Sequence, residues 1–420
     1  MIGVGEALRS VLARARPLAA ETLALADAGG RVLAEPLVAS RDVPGFINAQ
    51  MDGWAVRAED LVGAYAGEPR PLRVKGRVAA GGEQDLPTLP PGGAVRVFTG
   101  AVLPAGADAV VMQEVCRLEG EGEGSTVWIG HEPRPGEYVR RGDEDLRRGA
   151  PVLSAGTVLG PLEMGLLASL GAESLVIRAR PRVTVVTTGD ELVPVGTPLV
   201  RGQVHDSNAW VLRGLVAEHG AVPVAGGIVR DDPAATEAAL RHGLACDVLL
   251  TTGGVSVGDR DLVRPVLESL GVEPIFWGVA QKPGKPLWFG VRENTLVFGL
   301  PGNPVSAVVC FLLYVAPALR RLAGRTDLFL PSSPAVMGVG FESRPGICEF
   351  VRCRHERMGS QRTLVPAGTQ SSGALSVLAA ADALAVVPPG RSRVVAGDVL
   401  DALWLRPVEA WQPGFGAGVE

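Results

Sequence analysis

Between Arg182 and Leu319 the chain repeats one pattern: consecutive apolar residues, a Gly-rich break, then a stretch with helical spacing. RVTVVTTGDE precedes a helical stretch at 208–219, CDVLLTTGG precedes one at 261–270, and TLVFGL precedes the apolar run from Val305 to Leu319. Strands that read as unbroken Val and Leu are covered on both faces, an environment supplied by a sheet with helices on either side. The pattern therefore predicts a three-layer α/β domain, assigned to residues 181–330. In such sheets ligands bind beyond the carboxyl ends of the strands, so the residues after each strand are the informative ones.

Three strand ends stand out: Thr188-Gly189-Asp190-Glu191, TTGGVSVGDRD at 251–261 and LPGNPVS at 300–306. In the second, Gly253, Gly254 and Gly258 let backbone amides approach a ligand, Ser256 adds a donor and a helix start follows;. A phosphate cradle is one reading and a Gly-rich turn without function is the other; neither GxGxxG nor the Walker lysine pattern is present. In the third, Asn303 is placed to cap a helix beginning at Pro304, leaving amide donors and the Ser306 hydroxyl near a positive helix end;. That is an anion site or simply a well-made helix start. Glu191, Asp231, Asp259 and Asp261 are acidic residues at strand ends, suited to holding magnesium against ligand phosphates;. Asp259 and Asp261 serve equally well as helix caps, and Asp231-Asp232-Pro233 is a cap sequence for a helix at 234–243;. Only three lysines occur among 40 Lys and Arg, and two of them, Lys282 and Lys285, flank a glycine in QKPGKP. Their ammonium groups either converge on an oxyanion or are solvated surface charges.

Elsewhere, residues 5–16, 26–35 and 161–170 read as helices, while LRVKGRV, AVRVFTG, DAVVMQEV and TVWIG read as short strands;. This predicts an inserted β domain at 41–145 within an elongated helical or mixed domain formed by 1–40 and 146–180. PSSP at 331–334 marks a linker, and the strands EFVRCRH, ALAVVPP and DVLDALWL predict a small C-terminal β-barrel or sandwich over 331–408;. With 47% apolar and 20% charged residues, 420 residues can bury several cores;. A net charge of -5 gives no pull towards nucleic acid or an anionic membrane;. The five scattered cysteines are expected as reduced thiols, not zinc ligands;. Val305–Leu319 is judged too short to cross a bilayer, and MIGVGEALRS has no signal-peptide pattern, so a soluble cytoplasmic protein is expected;.

Seven segments appear in a set order: NAQMDGWAVR (48–57), VFTGAVLPAGADAVV (97–111), RRGDEDLRRG (140–149), PRVTVVTTGDEL (181–192), TTGGVSVGDRD, QKPGKP and LPGNPVSA. Together they resemble the molybdopterin molybdenumtransferase family, that of bacterial MoeA and the gephyrin E domain, from about residue 5 to 320 and more weakly to about 405. The resemblance implies insertion of molybdenum from molybdate into adenylylated molybdopterin with release of AMP. By motif position it implies roles for Asp52, Thr99, Glu191, Asp231, Asp261, Lys282, Pro301 and Pro304, and for Ser372 in TQSSGAL. Asp52, Glu191, Asp231 and Asp261 form the expected catalytic set, with magnesium on Glu191 and Asp261. A homodimer is implied, its clefts lying between the α/β domain of one subunit and the β domains of the other, with transient contact to molybdopterin adenylyltransferase and apo-molybdoenzymes. Two positions depart from the family: Gly278 replaces a lysine and Ile347 an arginine, with Arg344 or Arg352 as candidate substitutes. A molybdopterin adenylyltransferase or a nicotinamide-nucleotide hydrolase would share the α/β domain, but the first 180 residues and the MDGWAV segment argue against both. A gephyrin-type scaffold would call for a disordered linker or an extra domain.

Overall fold

The apolar runs after Arg182 form a six-stranded sheet in the computed structural model, which describes residues 1–81, 88–254, 262–358 and 361–406. Its order is Val222–Val229, Arg182–Thr188, Val248–Thr252, Thr295–Leu300, Trp288–Arg292 and Glu273–Trp277. The first three junctions are parallel and the last two antiparallel. All five residues of Val248–Thr252 are buried because alternate side chains enter different cores;. Val248 and Leu250 pack with Leu212, Val216 and Val305 on one face, while Leu249 packs with Leu240, Val263 and Leu267 on the other.

The last helical run is longer than the sequence suggests. Pro304–Leu322 is one helix of 19 residues, long and apolar enough by composition to cross a membrane, yet 83% of that apolar stretch is buried inside the protein. Pro317 lacks an N–H and crowds the carbonyl four residues earlier, and the helical ladder widens into a π stretch at Phe311–Val315 just before it;. The first helix, Val4–Leu12, buries Ala7 and Val11 in the same core. Five strands close into a barrel in the order Cys348–Met358, Gln361–Pro366, Ser332–Met337, Val399–Trp404 and Ala383–Val387, the last pairing back onto the first. That closure decides between the barrel and the sandwich left open by the sequence. Met337, Val351, Cys353, Leu364 and Trp404 fill its interior.

The described residues fall into two compact units, one made of those within 1–35, 155–160 and 174–406 and the other of those within 36–154 and 161–173. The second unit carries a mixed sheet ordered Ala109–Met112, Gly53–Val56, Gly93–Val97, Tyr65–Val78, Thr126–His131 and Cys116–Glu119. One expected helix is absent. Over 26–35 only the single turn Leu25–Asp27 is helical, because Gly29-Gly30 follows, with Gly30 at φ 71°, and Val32 and Leu33 bridge instead to Val158 and Ile177;.

Candidate functional site

A cavity of about 460 Å³ opens at the carboxyl ends of the parallel strands, lined on one side by Thr188, Thr252, Gly253, Gly302 and Asn303 and on the other by Glu191 and 204–208. Close main-chain packing makes its floor. Gly253 sits at φ 85°, and a Cβ there would lie 2.7 Å from the Thr188 carbonyl oxygen. A side chain at Gly254, φ 64°, would meet Val263 at 2.5 Å. Both glycines are therefore required by the backbone path itself.

A polar network that sequence reasoning missed ties the floor to the opposite wall. The Asp206 carboxylate, 4% exposed, accepts from Thr187 Oγ1 at 2.7 Å and from the Ala209 amide at 3.0 Å. Asn208 Nδ2 donates to the Gly302 carbonyl at 2.8 Å and to Thr252 Oγ1 at 3.3 Å. Asp-Ser-Asn before an apolar helix is a cap pattern, and that was the available signal.

Of the expected residues, Glu191, Gly253, Asn303 and Pro304 line this cavity. Glu191 is exposed, with its carboxylate folded so close to Gly189 that a Cβ there would lie 2.5 Å from Oε2. The cap of helix Pro233–Gly243 is Asp232, which accepts from the Ala235 amide at 2.8 Å, so Asp231 is not spent as that cap. The Asp231 amide donates to Asp190 Oδ1 at 3.2 Å. Asn303 holds the cap position of Pro304–Cys310 but makes no side-chain cap bond. Nor are the first amides all free: that of Val305 donates to the Ser372 carbonyl at 3.1 Å, which brings Ser372 against the helix start. Ser306 is 4% exposed and does not line the cavity, and Pro301 is buried just ahead of Gly302. Ser256, Gly258, Asp259 and Asp261 lie outside the described residues.

The QKPGKP segment is held from below. Gln281 is buried, donates to the Pro283 carbonyl at 3.0 Å and accepts from the Tyr314 hydroxyl. Lys282 Nζ pairs with Glu349 Oε1 at 3.0 Å, and the other oxygen of that buried carboxylate accepts from Ser343 Oγ at 3.0 Å. A buried carboxylate needs a counter-charge, and Lys282 provides it. Lys282 lines a second cavity of about 130 Å³, whereas Lys285 is exposed and lines neither. Arg352, 1% exposed, donates to the Thr369 and Ser371 carbonyls at 3.2 and 3.1 Å, and burial pushes its pKa down. Arg352 thus braces the loop that carries Ser372, while Arg344 is exposed.

Three family descriptions match consecutive stretches: the MoeA N-terminal region (domain I and II) at 2–171, a probable molybdopterin binding domain at 184–321 and the MoeA C-terminal region (domain IV) at 334–405. A molybdopterin molybdenumtransferase of Nostoc is 38% identical, aligned over 90% of this chain and 88% of its own. Molybdopterin molybdenumtransferase 2 of Mycobacterium tuberculosis is 37% identical over 95% and 98%. The chain belongs to the molybdopterin molybdenumtransferase family. It is accordingly an enzyme of the transferase class. The fold agrees: the crystal structure of a molybdopterin biosynthesis MoeA protein from Pyrococcus horikoshii superposes with a TM-score of 0.82 at 30% identity, covering 97% of this chain and 99% of that one.

Two residues singled out by resemblance to the family, Asp52 and Thr99, meet within the second unit. Asp52 Oδ1 accepts from the Thr99 amide and from Thr99 Oγ1, both at 2.8 Å. Those bonds, with the Arg96 charge, hold the Asp52 carboxyl below the usual carboxylate range;. Arg96 is itself anchored on the Gly53 carbonyl at 3.1 Å and stacks on Trp54 and Phe98.

Proposed function

We propose that this chain inserts molybdenum from molybdate into adenylylated molybdopterin, releasing AMP and completing the molybdenum cofactor. The observation that carries this reading is the 460 Å³ cavity at the strand ends, inside the segment that matches a molybdopterin binding domain. The substrate carries a phosphoanhydride and a dithiolene. Gly253 brings the main chain to the cavity wall, where phosphate oxygens can approach it;. Thr252, at the same strand ends, accepts from Asn208 and keeps its own hydroxyl hydrogen to donate.

No group of three metal-ligating side chains occurs among the described residues. Magnesium nonetheless takes only one or two carboxylates beside substrate phosphates, and an exposed Glu191 at the cavity fits that habit, with Asp261, outside the described residues, as the second carboxylate of the proposal;. Magnesium held there would neutralise charge on the anhydride. Lys282, Lys285 and Arg344 supply the cations for molybdate. Asp52 and Thr99 complete the site from the partner subunit of a homodimer, and the cofactor passes to apo-molybdoenzymes in the cytoplasm. We retain the division into four domains, the inserted β domain at 41–145 among them. The test is direct: purified protein, adenylylated molybdopterin, magnesium and molybdate should yield active cofactor with AMP, and absence of AMP release would overturn the reading.

A further inference from the structure

At the opposite edge of the parallel sheet, where the strand Arg182–Thr188 begins and the helices Asn208–Glu218 and Pro304–Leu322 end, lies a narrow cleft with room for one ligand atom, about 20 Å³. Arg31, Arg178, Arg180, Arg325 and His219 line it. Four arginines lining one recess of a chain whose net charge is -5 require explanation. Two have carboxylate partners: Arg31 pairs with Glu21 at 2.5 Å, and Arg325 pairs with Asp327. Arg178 donates to the Leu18 carbonyl at 3.1 Å, but neither it nor Arg180 has a carboxylate partner among the described residues. The cleft therefore holds an unbalanced positive charge.

Two buried atoms of its walls also lack hydrogen-bond partners, Arg31 Nε and His219 Nε2. His219 is 4% exposed, and its Nδ1 lies 2.9 Å from the Leu215 carbonyl oxygen, which fixes the hydrogen on Nδ1;. Burial is the main cause that pushes the His219 pKa below its ordinary value, with Arg320 and Arg325 adding to it and the Leu215 hydrogen bond and the Glu218 carboxylate opposing it, so the ring is neutral at pH 7 and Nε2 presents a lone pair;. The recess thus offers one unmet donor and one unmet acceptor beneath an excess of cations.

Few small groups answer all three demands. Water meets the donor and the acceptor but leaves the charge. Sulfate, molybdate and carboxylates meet the charge but bring no hydrogen to Nε2. A phosphate carrying one proton does both, its P–OH donating to Nε2 while its other oxygens accept from guanidinium N–H groups. We propose that this cleft is a binding site for a hydrogen-phosphate group, with one oxygen in the recess between Arg31 and His219 and the others facing Arg178 and Arg180. The group is free phosphate, which keeps at least one P–OH at pH 7, whereas a monoester is by then mostly a dianion with none to give.

The test is calorimetric titration of the full chain at pH 7 in a phosphate-free buffer with sodium phosphate, glycerol 3-phosphate and sodium sulfate at matched ionic strength. Saturable binding of phosphate with none of sulfate is expected. Glycerol 3-phosphate, mostly a dianion without a P–OH at pH 7, should bind more weakly than phosphate, and equal binding would overturn the role given to His219 Nε2. Arg180 is exposed and makes no hydrogen bond to the described residues, so Arg180→Gln should fold normally and weaken phosphate about tenfold;. His219→Gln should weaken it similarly. Equal response to phosphate and sulfate, binding unchanged in Arg180→Gln, or no phosphate binding at all would each overturn the proposal, the last leaving a recess that holds water.

Discussion

Asp206 and Asp52 are gripped by the same chemistry in different surroundings. Each carboxylate accepts one bond from a threonine hydroxyl and one from a backbone amide. Asp206 is 4% exposed and spends both oxygens, Oδ2 on the strand residue Thr187 and Oδ1 on the helix residue Ala209, so its bonds join two elements beneath the cavity. Asp52 is exposed and takes both bonds on Oδ1, leaving Oδ2 without a partner among the described residues. The same grip therefore serves the fold in one place and presents a fixed, solvent-facing oxygen in the other.

The largest expected effect separates the two on stability. Asp206→Ala strands a buried hydroxyl and an amide and should cost about 3 kcal/mol in denaturant unfolding; a cost under about 1 kcal/mol would erase the distinction. Next, Asp52→Asn and Glu191→Gln should each lower AMP release about 30-fold or more, with the unfolding midpoint that of wild type. A lowered midpoint in Asp52→Asn would make it a second Asp206. Refolding inactive Asp52→Ala and Asp261→Ala chains together at equal amounts should then restore roughly a quarter of wild-type activity, because random pairing leaves one intact cleft in each heterodimer. Heterodimer without activity would remove Asp52 from the shared cleft. Thr187→Val should cost about 1 kcal/mol of stability, whereas Thr99→Val should leave unfolding unchanged and lower activity. The smallest effect is on pH. Because the folded-state pKa of Asp52 is depressed, its carboxylate is charged in both states above the ordinary carboxylate range, and its contribution is lost only as pH falls through and below that range;. Asp52→Asn should therefore leave the shape of the activity profile between pH 5 and 8 unchanged, and a missing acid limb would show that Asp52 titrates there.

The α/β sheet was legible because buried parallel strands read as unbroken Val and Leu, as in Val248–Thr252;. The strand ends bearing Glu191 and Gly253 followed from topology alone. Barrel closure was not legible, since the pairing of Cys348–Met358 with Ala383–Val387 depends on contacts between distant segments. Asp206 escaped notice because an aspartate before a helix reads as a cap, and only its contact with Thr187 reveals the second task. The pairing of Lys282 with Glu349, 67 residues apart, left no local signal either. Asp52 and Thr99, 47 residues apart, were found through motif likeness, whereas periodicity would have passed them over as turns;.

The helix Pro304–Leu322 has a consequence for the order in which the chain is made. As it leaves the ribosome it is a segment that a membrane-insertion apparatus would accept by length and composition;. All six strands of the sheet that covers it, residues 182–300, precede it in the sequence. Synthesis from the amino terminus thus delivers the cover before the greasy segment, and the sheet competes for it from the moment it appears. Moving this helix to the front of a circularly permuted chain would reverse that order and expose a nascent protein to mistargeting, even though the finished fold would be the same.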